Sequence, residues 1–215
     1  MRKAANPVVA ALLGLVFVLA GCAEVGITGR KQFNFVPDSI INSMSIQQYS
    51  EFINQSNLSA NKEQTAMVQR VGARIEAAVN LYCKEHCDED PFAGYKWEFN
   101  LVEDPNVNAF AMPGGKVVVY TGILPVTQTE AGLATVMGHE IAHVFAKHGS
   151  ERMSQQLVVQ LGGVALSTAL KNQPEATQSI FTSAFTVGSQ VGILLPFSRK
   201  HENEADRLGL IFMAM

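Results

Sequence analysis

The stretch MGHEIAHVFAKH, residues 137–148, carries His139 and His143 four positions apart, with Glu140 directly after the first histidine. On an α-helix, residues four apart lie one turn above each other, with about 6 Å between their Cβ atoms. Two imidazoles at that spacing can both bind one zinc ion at about 2.0–2.1 Å. Glu140 falls between this face and the apolar stripe of the helix, so its carboxylate can reach a water molecule on the metal without being a ligand itself.

The helix that carries the two histidines has a predicted start and a predicted core face. Thr127 and Glu130 fit a capping box, which predicts a helix that begins near residue 128. Its buried stripe is predicted to consist of Leu133, Met137, Ile141 and Val144. His148 lies on the far side of the same helical wheel from His139. We interpret His148 as a cation near the helix C-terminus, where positive charge interacts favourably with the helix dipole.

A catalytic zinc site needs a third protein ligand and an open fourth position. The segment FSRKHENEADRLG, residues 197–209, is predicted to be a second helix with Ser198 as its N-cap. Glu202 and Asp206 lie one turn apart on one face of that helix. A carboxylate on this face is a suitable third ligand, so the sequence predicts a site built from two distant segments of the chain.

Length and composition predict one folded domain. The chain has 215 residues, of which 47% are hydrophobic and 16% are charged, and a formal net charge of −3. This apolar content is sufficient for a buried core and excludes an intrinsically disordered chain. The sequence contains no block of Lys or Arg, which argues against nucleic acid as a partner.

The first 22 residues have the features of an export signal. Two basic residues precede an apolar run over residues 8–20, and the run ends in LAGC, residues 19–22, which is similar to a bacterial lipobox. Residues 1–21 are therefore predicted to be a signal peptide, with Cys22 lipidated after cleavage. The alternative is a plain membrane anchor with a chance cysteine, but the apolar run is short for a membrane-spanning helix.

Lipidation would place the domain in a defined compartment. Two or more acyl chains on Cys22 hold a protein stably on a membrane. Ala23 follows, where lipoproteins retained at the inner membrane tend to have aspartate, so the resemblance to bacterial lipoproteins implies a cell-envelope protein at the outer membrane, facing the periplasm. In that oxidising compartment we expect Cys83 and Cys87 to form a disulfide. The alternatives are two free thiols and a metal site that includes His86.

Most of the remaining chain is predicted to be helical. After a lead-in at residues 22–37 that we expect to be irregular, apolar residues recur at helical spacing over residues 38–54 and 61–82. Residues 153–198 are predicted to form helices beside the site, because polar residues interrupt their apolar runs too often for membrane spans.

A small sheet is predicted between these helical parts. Residues 97–101 alternate between apolar and polar side chains, as in a strand. Pro113, Gly114 and Gly115 separate two further extended runs, the second of which is rich in valine. The predicted fold class is therefore α+β, mostly helical, with a small sheet or hairpin beside the helix that carries His139.

Several motifs together carry a resemblance to a known family. They are GHEIAH at residues 138–143, SRKHENEAD at residues 198–206, NAFAMPGG at residues 108–115 and TGRKQ at residues 28–32. The chain resembles the HtpX, BepA and LoiP type of gluzincin, relatives of the CAAX prenyl endopeptidases, over essentially the whole of residues 22–215. The resemblance implies a zincin-like metalloprotease domain over residues 38–215.

The resemblance also implies roles for the matching residues. One Zn²⁺ ion per chain would be bound by His139, His143 and Glu202, with Glu140 as the general base. Glu204 is a rival third ligand, although it lacks the family's spacing to the Ala-Asp pair that follows it.

Two further roles follow from the same resemblance. Asp206 matches an aspartate that helps to hold the ligands in place, a support that ligating histidines generally need; its alternative role is a surface carboxylate paired with Arg207 or Lys200. The family has a strand beside the cleft, and a substrate would add to its edge as a further strand. The matching residues, of which Phe110 is also expected in the core, are Asn108, Ala109, Phe110 and Ala111.

The implied function is that of a zinc metalloendopeptidase that acts on unfolded or misassembled envelope proteins, with the outer-membrane assembly machinery as a further partner. Family members continue beyond the position of residue 215, so the end of the domain that would stabilise the oxyanion is expected to be missing. Two alternatives belong to other classes. One is a zinc-binding assembly factor that does not cleave proteins, and the other is a lipid-anchored structural module with an accidental motif.

Overall fold

Helices dominate the computed structural model, which describes residues 22–25, 27–87 and 90–215. The strands are β1 (Cys22–Glu24), β2 (Lys31–Phe33), β3 (Glu98–Val102), β4 (Ala109–Met112) and β5 (Lys116–Tyr120). The α-helices are α1 (Asp38–Gln55), α2 (Lys62–His86), α3 (Leu124–Thr127), α4 (Glu130–Phe145), α5 (His148–Leu170), α6 (Glu175–Ser189) and α7 (Leu195–Ala214). The predicted α+β class is confirmed. The signal peptide predicted at residues 1–21 lies outside the described residues.

The first two long helices begin where their periodicity predicts them, and α2 continues four residues beyond its predicted end, to His86. α2 begins after Asn61, whose side chain accepts a hydrogen bond of 3.1 Å from the backbone N–H of Gln64. Its buried stripe packs against α4 and β3 and consists of Val68, Val71, Ile75 and Val79. α1 buries Tyr49 against the opposite side of the sheet, beside Val118.

The main sheet has the order β3-β5-β4, with β3 parallel and β4 antiparallel to β5. The central strand β5 buries Val117, Val118 and Val119, as expected for a strand covered by helices on both faces. The turn between β4 and β5 needs glycine, because Gly114 and Gly115 both have positive φ angles, of 89° and 81°. Because β4 comes last in the order of the sheet, it is an edge strand, and it packs alongside α4.

The start of α4 differs from the predicted one. Thr129, and not Thr127, is the N-cap, and its side chain accepts a hydrogen bond of 3.0 Å from the N–H of Gly132. Thr127 instead ends the short helix α3. The capping-box prediction was wrong by two residues because this extra helical turn precedes α4.

The end of α4 also differs. The helix ends at Phe145, and Lys147 adopts the left-handed conformation with φ 54°. His148 is then the first residue of α5. The helical wheel of α4 therefore does not extend to His148, and the interpretation of His148 as a C-terminal cation is wrong.

The lead-in is not irregular throughout. β1 and β2 form an antiparallel pair in which Cys22 lies opposite Phe33. The side chain of Cys22 is not among those described, so its lipidation stays a prediction. β2 packs against α5, the helix that follows α4 in the chain.

Two helices, α5 and α6, separate α4 from α7 in the chain. A π-helical turn at Gln190–Leu194 leads into α7, which begins at Leu195, so Ser198 is inside the helix and not its predicted N-cap. Within the described part of the chain, no helix is both long enough and apolar enough to cross a membrane.

Candidate metal centre

Two helices bring the candidate ligands together. α4 carries His139, Glu140 and His143, and α7 carries Glu202. The helices can approach closely because α7 presents a glycine: a Cβ on Gly209 would lie 3.1 Å from the backbone nitrogen of His139. This contact fixes the distance of α7 from α4 at the level of the site.

The three candidate ligands converge in space. The Nε2 atoms of His139 and His143 are 3.0 Å apart, and Oε2 of Glu202 lies 3.3 Å from the first and 3.6 Å from the second. Ligand atoms at about 2.0–2.1 Å from a tetrahedral zinc ion are about 3.3 Å from each other. The spacing of the nitrogen and oxygen atoms therefore fits a zinc ion with three protein ligands.

Hydrogen bonding fixes which nitrogen of His139 carries the proton. Its Nδ1 lies 2.8 Å from Oδ1 of Asp206. An ionised carboxylate only accepts hydrogen bonds, so Nδ1–H is the donor and Nε2 of the neutral ring has a free lone pair. The structure thus places Asp206 behind a candidate ligand.

A second chain of hydrogen bonds acts on His143. Its Nδ1 lies 2.8 Å from Nδ1 of His148, and Nε2 of His148 lies 2.9 Å from Oε2 of Glu204. Glu204 accepts from Nε2–H of His148, which leaves Nδ1 of His148 as the acceptor for Nδ1–H of His143. The Nε2 atom of His143 then also has a free lone pair.

These assignments test whether the site fits a metal ion. With these tautomers, two imidazole lone pairs and a carboxylate oxygen face one another at 3.0–3.6 Å. Such a group of electron-rich atoms is mutually repulsive unless a cation lies among them. Two imidazoles and one carboxylate with a solvent-facing position are typical of a catalytic zinc site. The donor set fits.

Burial shapes the acid–base properties of the site. It is the main cause that raises the pKa of Glu140 to about 7; His139 lowers this pKa and Glu202 raises it. Burial, with the neighbouring His148, lowers the pKa of His143 to about 4, which keeps its imidazole neutral and able to bind a cation.

His148 is buried and is not a surface cation. Only 1% of its surface is exposed, and burial lowers its pKa despite the hydrogen bond to Glu204. A charged imidazole at the N-terminus of α5 would also interact unfavourably with the dipole of that helix. His148 is therefore a neutral hydrogen-bonding group behind His143.

The structure turns Glu204, the rival ligand, away from the imidazole pair. Its carboxylate accepts hydrogen bonds from Thr28 Oγ1 and, at 2.6 Å, from Arg30 Nε, as well as from His148. Burial alone would raise the pKa of Glu204, but these hydrogen bonds outweigh it and hold the pKa at about 2. Glu204 is thus an ionised group whose partners lie on the far side of His148.

A further buried ion pair supports the same region. Glu151 accepts a hydrogen bond of 2.9 Å from Nε2 of His201 and pairs with Arg30 at 2.8 Å. The ring of His201 stacks on that of His148, with 4.2 Å between the ring centroids. This network was not predicted from the sequence. The only local sign of it in the sequence is that two histidines each have a glutamate three residues later on the same helix: Glu151 follows His148 on α5, and Glu204 follows His201 on α7.

A cleft of about 980 Å³ lies in front of the metal site. Its lining includes the candidate ligands, Glu140, Ala109 and Ala111 of the edge strand, and Asn108 directly before that strand. Phe110 points to the other face of the sheet, where its ring packs against Phe52 with 5.4 Å between centroids. Three of the four predicted strand residues therefore border the cleft, and Phe110 lies in the core.

The register of β4 shows which backbone groups face the cleft. Tyr120 donates a backbone hydrogen bond of 3.0 Å to Asn108, so these two residues form a hydrogen-bonded pair. Such pairs alternate along an antiparallel ladder. Ala109 and Ala111, opposite Val119 and Val117, are the intervening residues, and their N–H and C=O groups point away from β5 to the free edge.

The two cysteines lie at the end of α2. Cys83 is buried in the core, and the N–H of Cys87 donates a hydrogen bond of 2.9 Å to its carbonyl. Both are free thiols here, and burial, with the hydrogen bond to Cys87, raises the pKa of Cys83. The disulfide between them stays a prediction. Neither cysteine is near enough to other candidate ligands in the described residues to form a metal site with them.

Comparisons with known proteins identify relatives of this chain. Residues 62–215 match the model of peptidase family M48. The chain is 34% identical over 204 residues to the mitochondrial metalloendopeptidase OMA1 of Schizosaccharomyces pombe, and the match covers 94% of this chain and 55% of that protein. It is 35% identical over 153 residues to the beta-barrel assembly-enhancing protease of Yersinia pestis, which covers 68% of this chain and 28% of that protein. The chain thus spans about half of the first relative and under a third of the second.

Proposed function

Because the chain belongs to peptidase family M48, we propose that it is a zinc-dependent metalloendopeptidase. The proposed ligands of the ion are His139, His143 and Glu202. The observation that carries the proposal is the convergence of their Nε2 and Oε2 atoms within 3.6 Å, beside a carboxylate, Glu140, that lines the same cleft.

When bound, a zinc ion would polarise the scissile carbonyl and lower the pKa of water. Glu140 accepts a proton from the attacking water and passes it to the leaving amine. Asp206 and His148 keep both imidazoles in the tautomer that leaves Nε2 free. The reaction is therefore hydrolysis of an internal peptide bond.

The substrate is an extended peptide that adds to the edge of β4. Ala109 and Ala111 direct their backbone groups to the free edge, and these groups would pair with the backbone of the substrate. Recognition through the backbone favours broad sequence preference. An unfolded or misassembled protein offers such a segment, whereas a folded protein has its backbone groups paired internally.

The compartment is proposed to be the bacterial cell envelope, with Cys22 lipidated and the domain at the outer membrane, facing the periplasm. Support comes from the LAGC sequence at residues 19–22 and from the relative of Y. pestis named a beta-barrel assembly-enhancing protease. Outer-membrane assembly machinery is the corresponding partner. Replacement of Cys22 by serine should release the protein from membranes into the soluble fraction; a variant that stays membrane-bound would contradict lipid anchoring.

Two substitutions test the hydrolytic function. Glu140→Gln keeps the shape of the side chain but removes the base, so the variant should bind Zn²⁺ like the original protein and fail to cleave casein. His143→Ala removes a ligand and should lose both properties. Zinc content and casein cleavage by purified full chains are the measurements. Full cleavage by Glu140→Gln would exclude this mechanism, whereas metal binding with no cleavage by any variant or by the original chain would favour an assembly factor.

A further inference from the structure

His143 is supported differently from His139. Asp206, behind His139, has a 69% exposed side chain, so water can take over its hydrogen bond. The group behind His143 is another imidazole, His148, of which only 1% is exposed. Water cannot reach that position without a rearrangement of the core.

The imidazole of His148 can orient His143 only if the tautomer of His148 is itself fixed. A histidine presents either an acceptor or a donor at Nδ1, depending on the location of the proton. The carboxylate of Glu204, 2.9 Å from Nε2 of His148, holds the proton on Nε2 and makes Nδ1 an acceptor. Without this carboxylate, both tautomers of His148 would be accessible.

Glu204 in turn is held by the N-terminal hairpin. Thr28 Oγ1 and Arg30 Nε both donate to its carboxylate, and Arg30 also pairs with the buried Glu151. A continuous chain of hydrogen bonds thus runs from Thr28 to Glu204, then to His148, and ends at His143. Buried polar groups are costly unless they are paired, and the carboxylate of Glu204 is paired with Thr28, Arg30 and His148.

We propose that His148 is a positioning residue for the metal centre: fixed by Glu204, which the Thr28–Arg30 turn holds in place, it accepts the Nδ1–H of His143 and keeps Nε2 of His143 directed at the ion. This inference rests on the proposed function, since it assumes that His143 is a metal ligand. It gives a role at the site to His148, Thr28 and Arg30, none of which is a predicted ligand or base. Loss of such an outer partner typically weakens metal binding by about 10- to 100-fold.

Zinc affinity of full-length variants tests the proposal. We expect His148→Phe, which fills the site but cannot accept a hydrogen bond, to bind Zn²⁺ at least about tenfold more weakly than the original chain in competition with a chromophoric chelator. His148→Asn presents an amide oxygen near the position of Nδ1 and should restore part of the affinity. His86→Phe is the matched control, because His86 is a half-exposed histidine on α2, and it should bind Zn²⁺ normally.

A second measurement needs no substitution. Imidazole ¹⁵N chemical shifts of the metal-free chain report the tautomer of each histidine. We expect His143 with its proton on Nδ1 and His148 with its proton on Nε2. The opposite tautomer of either residue would overturn the proposal, even if His148→Phe fails to fold.

The outcomes separate this inference from the proposed function. If the original chain binds Zn²⁺ and cleaves casein, and a folded His148→Phe variant binds Zn²⁺ equally well, the positioning role is wrong and the peptidase stands. If the original chain binds no Zn²⁺, the proposed function fails, and the role of His148 fails with it.

Discussion

The imidazole of His139 and the carboxylate of Asp206 are joined by a hydrogen bond of 2.8 Å, although they are 67 positions apart in the chain. The bond joins α4 to α7 directly beside the candidate ligands. Because Asp206 is largely exposed, it supports His139 from the solvent side of the site.

Substitution of Asp206 should weaken metal binding moderately. Asp206→Ala lets water replace the carboxylate, so we expect a loss of zinc affinity of about tenfold, the low end for such partners. Asp206→Asn keeps an acceptor oxygen and should lose less zinc affinity than Asp206→Ala. Chelator competition measures both, with Glu175→Gln on the distant helix α6 as the control. An affinity of Asp206→Ala equal to that of the control would contradict a supporting role for Asp206.

The close contact between α4 and α7 predicts a difference between two glycines. A Cβ on Gly209 would lie 3.1 Å from the backbone of His139, whereas a Cβ on Gly138 would lie at an ordinary 3.5 Å from the carbonyl of Gly209. Both Gly→Ala changes favour the helix by about 1 kcal/mol. Gly209→Ala should nevertheless lower Tm by about 3 °C or more and weaken zinc binding, because α7 must move away with Glu202. Gly138→Ala should leave Tm unchanged or raise it; equal effects of the two substitutions would contradict the close contact.

The edge of β4 predicts a substrate-binding effect that depends on one N–H group. Ala111→Pro removes the N–H that faces the free edge, and proline is tolerated at such edge positions. We expect kcat/KM for a peptide substrate to fall roughly five- to tenfold, the value of one hydrogen bond, mainly through KM. Ala111→Ser keeps the N–H and should retain activity. Zinc content should be the same in both variants, and unchanged kinetics of Ala111→Pro would exclude pairing of the substrate at this residue.

The buried pair of Glu151 and Arg30 predicts a pH-dependent stability. Burial alone would raise the pKa of Glu151, but hydrogen bonds from His201 and Arg30 lower it below its ordinary value of 4.5. The ionised carboxylate therefore stabilises the fold above pH 4.5, and this contribution is lost as the pH falls through the lowered pKa. Glu151→Gln should lower the free energy of unfolding at pH 7 by about 3 kcal/mol.

The difference in free energy of unfolding between Glu151→Gln and the original chain should become smaller as the pH falls below 4.5. Urea unfolding at several pH values measures it, with Glu175→Gln as the exposed control. A difference that stays constant from pH 7 to pH 3 would show that Glu151 acts through packing and not through its charge.

Local patterns predict most of the elements correctly. The apolar stripe of α2 is buried, and the glycines after Pro113 form the turn of the hairpin. The spacing of His139 and His143 follows from helical geometry alone. These features depend on residues close together in the chain, where propensity and periodicity apply directly.

The failures arise where structure depends on distant residues or on a break in a helix. Lys147 ends α4 in the left-handed conformation, which lysine rarely adopts and no local pattern predicts. The prediction that His148 lies on α4 was therefore wrong. Thr28 and Arg30 contact Glu204 across more than 170 positions, and the lead-in sequence gives no local sign of it. Packing partners of this kind are set by the folded chain as a whole.

The long separation in the chain between α4 and α7 has a consequence for biosynthesis. A ribosome completes the histidine pair well before Glu202, and Thr28 and Arg30 can contact Glu204 only after α7 has been made. An unfinished chain thus cannot assemble the hydrolytic apparatus. Under the proposed function, a chain that is still being made would therefore not cleave its newly made neighbours.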